Sequence, residues 1–157
     1  IRDCLLSRGL GDVYKRQIRE AIENGMPSVA ECGGFMYLHE SMTDEEGENW
    51  PMAGVITGNC HNRGKLVRFG YVNVTEQTSH FLAGKPVRAH EFHYYDSDNN
   101  GESCVAVKPV SGTSWTCIHE DDRNWWGYPH LYYPSNPAFV EHFVQAARLY
   151  HRERNAK

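Results

Sequence analysis

The stretch on which the fold turns is Pro27-Ser28-Val29-Ala30-Glu31-Cys32-Gly33-Gly34-Phe35-Met36-Tyr37-Leu38. Residues 27–31 read as a short strand and Cys32-Gly33-Gly34 as a tight turn. Residues 35–41 read as a helix with Phe35, Leu38 and Met42 on one face. Strand, small-residue turn and helix make half of a βαβ unit, which implies a parallel α/β sheet. A cysteine in such a turn is lifted above the sheet edge as a nucleophile elbow. The helix behind it aims backbone N–H groups and a positive dipole end at the sulfur, and both favour thiolate. Gly33 and Gly34 let backbone amides approach a tetrahedral oxyanion without side-chain obstruction. The same residues also describe a buried structural cysteine, since a free Cys usually behaves as a small hydrophobe.

Upstream of this stretch, residues 18–24 read as a helix end capped by Gly25. Residues 2–17 (RDCLLSRGLGDVYKRQ) resemble translated sequencing-adaptor read-through. Residues 1–17 are therefore expected to be non-native, and residues 18–157 to form the functional domain. Downstream, strands are expected at 54–58, 66–75, 87–95, 104–108, 113–118 and 128–133. Asp98-Asn99-Asn100-Gly101 has the chemistry of a hairpin joining two of them. A last helix is expected over 138–152, with Pro137 at its first position. Its buried stripe would be Phe139, Val140, Phe143, Val144 and Ala147.

The chain of 157 residues is one domain long and can bury a core without disulfides or metals. A net charge of −4 offers no basic surface for nucleic acid or an anionic membrane. No apolar run approaches the roughly 18 residues that span a bilayer. The five cysteines are odd in number and include no C-x-x-C pair, which points to free thiols in a reducing cytoplasm.

Two further segments carry chemistry. In His90-Glu91-Phe92-His93-Tyr94, a strand puts His90, Phe92 and Tyr94 on one face and Glu91 and His93 on the other. Histidine and glutamate can ligate zinc, alone or with Cys60. The segment lacks the helical H-E-x-x-H spacing and no cysteine pair completes it, so an ordinary strand with a polar outer face is the simpler reading. Arg68 lies in the most hydrophobic strand, where it either snorkels to an edge or binds a carboxylate through its fork.

Together, residues 27–38 (PSVAECGGFMYL), 68–71 (RFGY), 90–94 (HEFHY) and 127–137 (GYPHLYYPSNP) resemble the glutamine amidotransferase domain of the cobyrinate a,c-diamide synthases of the cobalamin pathway. The resemblance covers residues 18–148. It implies a flavodoxin-like α/β fold of the class I, triad-type amidotransferases, incomplete at its N-terminus. It also implies that Cys32 forms a γ-glutamyl thioester, that His130 raises its nucleophilicity, and that Gly33 and Gly34 serve the oxyanion. Arg68, Glu91 and His93 would hold glutamine, and no metal is implied. Class I relatives often carry H-x-E, whose glutamate orients the histidine. Here Leu131 and Tyr132 follow His130, so the third triad member is unassigned. No G-x-x-x-x-G-K-[ST] occurs. The resemblance therefore assigns ATP and Mg2+ to a synthetase domain upstream in the same chain, through which a corrinoid substrate would be met. The domain of cobyric acid synthase, and a non-catalytic amidotransferase-like binding domain, are the other readings.

Overall fold

The computed structural model describes residues 5–156, and side-chain surroundings from residue 11 to 156. The expected free thiol of Cys4 and residues 1–4 of the adaptor-like segment lie outside the described residues. Three α-helices are α1 (Leu5–Glu23), α2 (Gly33–Leu38) and α3 (Ala138–Asn155). The strands are β1 (Ser28–Glu31), β2 (His39–Thr43), β3 (Asn49–Pro51), β4 (Ile56–Asn62), β5 (Arg68–Glu76) and β6 (Val87–His93). They continue with β7 (Tyr95–Ser97), β8 (Cys104–Val107), β9 (Ser114–Cys117), β10 (His119–Glu120), β11 (Asn124–Gly127) and β12 (His130–Leu131).

These strands form three sheets, in the orders β1-β11-β10, β12-β6-β5-β8-β9 and β3-β2-β4-β7. Parallel pairing is confined to β1 with β11 and β2 with β4. All other pairs are antiparallel, so the architecture is mixed α/β. Two apolar clusters hold it together. Val72, Val74, Val87 and Ala89 on the inner face of the five-stranded sheet pack with Phe81, Trp125 and Phe139. The Phe81 ring sits 5.1 Å from Phe139 and 5.7 Å from Trp125, so β11 and α3 are fastened to the same side. The second cluster gathers Ile22, Phe35, Leu38, Ala53, Ile56 and Tyr128 beneath α1 and α2. Arg19 of α1 donates to the Gly54 carbonyl and Lys15 to that of Pro51 at 2.6 Å. The helix therefore continues from the expected 18–24 segment back to Leu5.

Several sequence expectations change. The helix after Cys32 stops at Leu38, and His39–Thr43 is a strand between β3 and β4. Tertiary pairing overrides local propensity there, because His39 is fully buried and bridges Phe35 and Ser97. Residues 98–101 do not form a hairpin: β7 pairs with β4, whereas β8 pairs with β5 and β9. Gly101 is still required there, with φ +78° and the Ile118 backbone where a Cβ would stand. On α3, Phe139 is buried, but Val140 and Val144 are exposed and Pro137 is the N-cap.

Candidate active site

Cys32 is the residue between β1 and α2, with φ 48° and ψ −105°. A positive φ at a residue with a Cβ stores on the order of 1–3 kcal/mol of strain, which the surroundings must impose. They do so from both sides. The Cys32 N–H donates to the Gly127 carbonyl at 2.9 Å, and its own carbonyl accepts from Met36 N–H at 2.9 Å. A Cβ on Gly33 would meet open space, and one on Gly34 would reach only Ala30 at 3.6 Å. The backbone beside the sulfur is therefore uncovered.

The electrostatics depart from the sequence expectation. The Cys32 thiol is pushed up from its ordinary range, chiefly by burial. The Gly33 N–H pulls it down, while the nearby Glu91 and Glu31 carboxylates disfavour thiolate. Helix α2 spans only six residues, so its dipole is a weak counterweight. The resting thiol needs a base to take its proton.

His130 opens β12, three residues past the carbonyl of Gly127 that holds Cys32. It pairs with His90 of β6 at the edge of the five-stranded sheet, near enough to His93 for its charge to act on that ring. Its Nδ1 lies 3.8 Å from Glu31 Oε2.

Arg68, Glu91 and His93 share the inner face of that sheet. Arg68 stands opposite His93 in register, and Gly70 stands opposite Glu91. Gly70 has φ +103°, and a Cβ there would meet nothing within 4 Å. The expected polar outer face is thus inverted. Glu91 and His93 are buried, and Phe69, Tyr71 and Phe92 are exposed. His90 therefore faces away from Glu91 and His93, and the zinc arrangement weighed from the sequence is not assembled. Cys60 is buried elsewhere, where its sulfur accepts from the Tyr128 hydroxyl.

Among the described residues, three buried polar atoms around this face make no hydrogen bond of good geometry: Glu91 Oε2, His93 Nε2 and Trp115 Nε1, the indole still lying close enough to the Glu91 carboxyl to act on it. Orphaned polar atoms in a native interior call for a specific explanation, and a polar ligand supplies one. The His93 ring stacks on Tyr128 at 3.9 Å, and its Nδ1 lies 2.7 Å from the Tyr95 carbonyl. Nδ1 therefore carries the hydrogen and Nε2 is left as an acceptor. Burial lowers the His93 pKa, keeping the ring neutral. The Arg68 guanidinium lies over the Trp115 ring at 4.1 Å. Trp115 and Glu31 were not singled out from sequence. Trp115 lies on a strand 47 residues from Arg68, and Glu31 read as mere flank to the cysteine.

Glu91 is pushed up to about 7 by burial, which outweighs Arg68, the Trp115 indole and Lys108. The unfolded chain releases this proton near the ordinary 4.5, the folded chain only near 7. Between those values the folded state binds more protons, so Glu91 costs stability as pH rises through that window. A Glu91→Gln variant stays neutral throughout. It is expected to gain on the wild type between pH 4.5 and pH 8, by up to roughly 3 kcal/mol. Urea unfolding at the two pH values reads this difference, and an unchanged difference would mean that Glu91 ionises normally in the fold.

A family profile described as CobB/CobQ-like glutamine amidotransferase domain matches residues 11–138. A cobyrinate a,c-diamide synthase of Caldanaerobacter subterraneus subsp. tengcongensis is 39% identical over 112 residues, 68% of this chain and 25% of that protein. That of Salmonella typhimurium is 32% identical over 142 residues, covering 87% and 31%. That of Picrophilus torridus is 33% identical over 146 residues, covering 90% and 31%. The chain thus spans about a quarter to a third of the length of these relatives. A crystal structure of a glutamine amidotransferase superposes with a TM-score of 0.58 at 16% identity, covering 90% of this chain and 71% of that one. This likeness bears out the expected α/β amidotransferase fold.

Proposed function

This chain belongs to the CobB/CobQ-like glutamine amidotransferase domain family, and on that footing we propose that it is the glutamine-hydrolysing domain of a cobyrinate a,c-diamide synthase. The observation that carries the reading is a strained cysteine turn near buried polar atoms that make no well-formed hydrogen bond among the described residues. A glutamine zwitterion presents complementary groups. Its carboxylate suits the Arg68 fork, and its ammonium suits the Glu91 carboxylate and His93 Nε2.

In this mechanism His130 takes the Cys32 proton, and the thiolate attacks the side-chain carboxamide carbon. The Gly33 and Gly34 amides face the oxyanion. The C–N bond breaks, and ammonia leaves with the proton returned by His130. Water then attacks the thioester and gives its proton to His130. Glutamate departs and the Cys32 thiol is restored. The ammonia feeds a corrinoid carboxylate activated with ATP and Mg2+, both held by a synthetase domain upstream in the same chain. Free thiols at Cys32, Cys60, Cys104 and Cys117 fit the reducing cytoplasm in which such a pathway runs. Among the described residues no helix is long and apolar enough to cross a membrane.

The test is acceptor choice. The ligase carrying this domain, given ATP, Mg2+, glutamine and cobyrinic acid, is expected to release glutamate in step with diamide formation. Turnover only with an already diamidated acceptor would move the assignment to cobyric acid synthase.

A further inference from the structure

We propose that Glu31, the residue immediately before the nucleophile, is the positioning residue that orients His130. The inference rests on the glutamine-hydrolysing reading and assigns its vacant third role. The position where an H-x-E pattern would supply a glutamate is Tyr132. Its ring is exposed and lies 5.3 Å from the Arg88 guanidinium, so no carboxylate is offered there.

Glu31 offers one from the other side. Its Oε1 accepts from the Tyr133 hydroxyl at 2.7 Å and from the Leu131 N–H at 3.3 Å. Both donors belong to the segment that carries His130. Burial and the Glu31 contact raise the Tyr133 hydroxyl pKa, so it stays a donor. With Oε1 held twice, Oε2 is left facing His130 Nδ1 at 3.8 Å. That is longer than a hydrogen bond, as catalytic contacts without substrate commonly are. His130 makes no side-chain hydrogen bond among the described residues, so no other group competes for Nδ1.

A carboxylate at Nδ1 favours the tautomer with hydrogen on Nδ1 and leaves Nε2 as the base. Nucleophile and orienting group then come from consecutive residues. Glu31 supports the base through space while Cys32 carries the attack.

The experiment uses Glu31→Gln in the full ligase. The amide oxygen can still accept from Leu131 and Tyr133, so the fold is kept while the charge facing Nδ1 is lost. The kcat for glutamine hydrolysis is expected to fall by roughly 10²–10⁴-fold, with KM for glutamine within about threefold. In 15N-histidine-labelled protein, neutral His130 should carry its hydrogen on Nδ1 in the wild type and shift toward Nε2 in the variant. The tautomer is read without turnover, so it decides the inference even if the ligase proves not to hydrolyse glutamine. Should Glu31→Gln fail to fold, Tyr133→Phe loosens Oε1 and is expected to lower kcat several-fold with KM kept. A wild-type Nε2–H tautomer, or an unchanged kcat in a folded Glu31→Gln enzyme, overturns the proposal.

Discussion

Replacing Cys32 with alanine is expected to lower glutamine-dependent amidation by about 10⁴-fold or more, while free ammonia still supports it. The expectation rests on the contrast among the thiols. Cys60 and Cys117 are pushed up by burial to about 11 and about 12, and Cys104 is raised further still. All three are buried and cannot meet a substrate. Cys32 is half-buried and sits on a turn whose flanking glycines leave its backbone open. Among the described residues no other thiol can substitute for it. Ammonia bypasses the thioester, because the activated carboxylate forms in the synthetase domain of the proposed ligase. Paired assays with glutamine and with ammonium chloride measure both arms. Full glutamine-dependent turnover in a folded Cys32→Ala enzyme would remove the cysteine from the mechanism.

The second large effect is expected at Arg68. Losing a forked charge-assisted contact to a carboxylate costs about 1.5–3 kcal/mol, so Arg68→Ala should raise KM for glutamine roughly 10–100-fold. Ammonia-dependent turnover should stay intact. The structure sharpens the expectation, because Arg68 is neither snorkelled at an edge nor, among the described residues, locked in an ion pair. It lies over Trp115 and opposite His93, on the face where Glu91 is buried. Its five donors are thus available to a ligand at little reorganisation cost. Arg68→Lys keeps the charge but loses the fork and the planar stacking, and should recover only part of the affinity. If KM is unchanged in folded Arg68→Ala, the carboxylate is held elsewhere and the backbone amides beside Cys32 are the next candidates.

The elbow was legible in sequence because everything that defines it is local: a β-prone run, a cysteine, two glycines and an apolar helix start. The alternation of 90–94 was legible for the same reason, as were β5 and most of α3. Which face of that alternation points inward was not. Burial of Glu91 and His93 depends on a partner strand whose Gly70 lies 21 residues away, and on Trp115 farther still. Residues 39–41 were read as part of a helix because β3 and β4, which pair with them, come from later in the chain. The thiol pKa was expected to fall because a helix N-terminus is visible in the sequence. The burial and the Glu91 carboxylate that oppose it are tertiary facts. Glu31 was in plain view beside Cys32, yet its contact with His130 spans 99 positions.

The two strands β5 and β6 also pose a folding problem. At one end they are conventional: Val72, Val74, Val87 and Ala89 point inward and are buried. At the other end the polarity reverses, with Glu91 and His93 inside and Phe69 and Phe92 outside. A slip of one residue would satisfy the second half, burying aromatic rings and hydrating the polar groups. The same slip would expose the four aliphatic side chains of the first half. One hairpin therefore contains two halves that prefer opposite registers, a local frustration settled by the aliphatic half. The aliphatic end acts as a clamp that forces the polar end inward, and the binding face exists because its own strands are overruled by their neighbours along the chain.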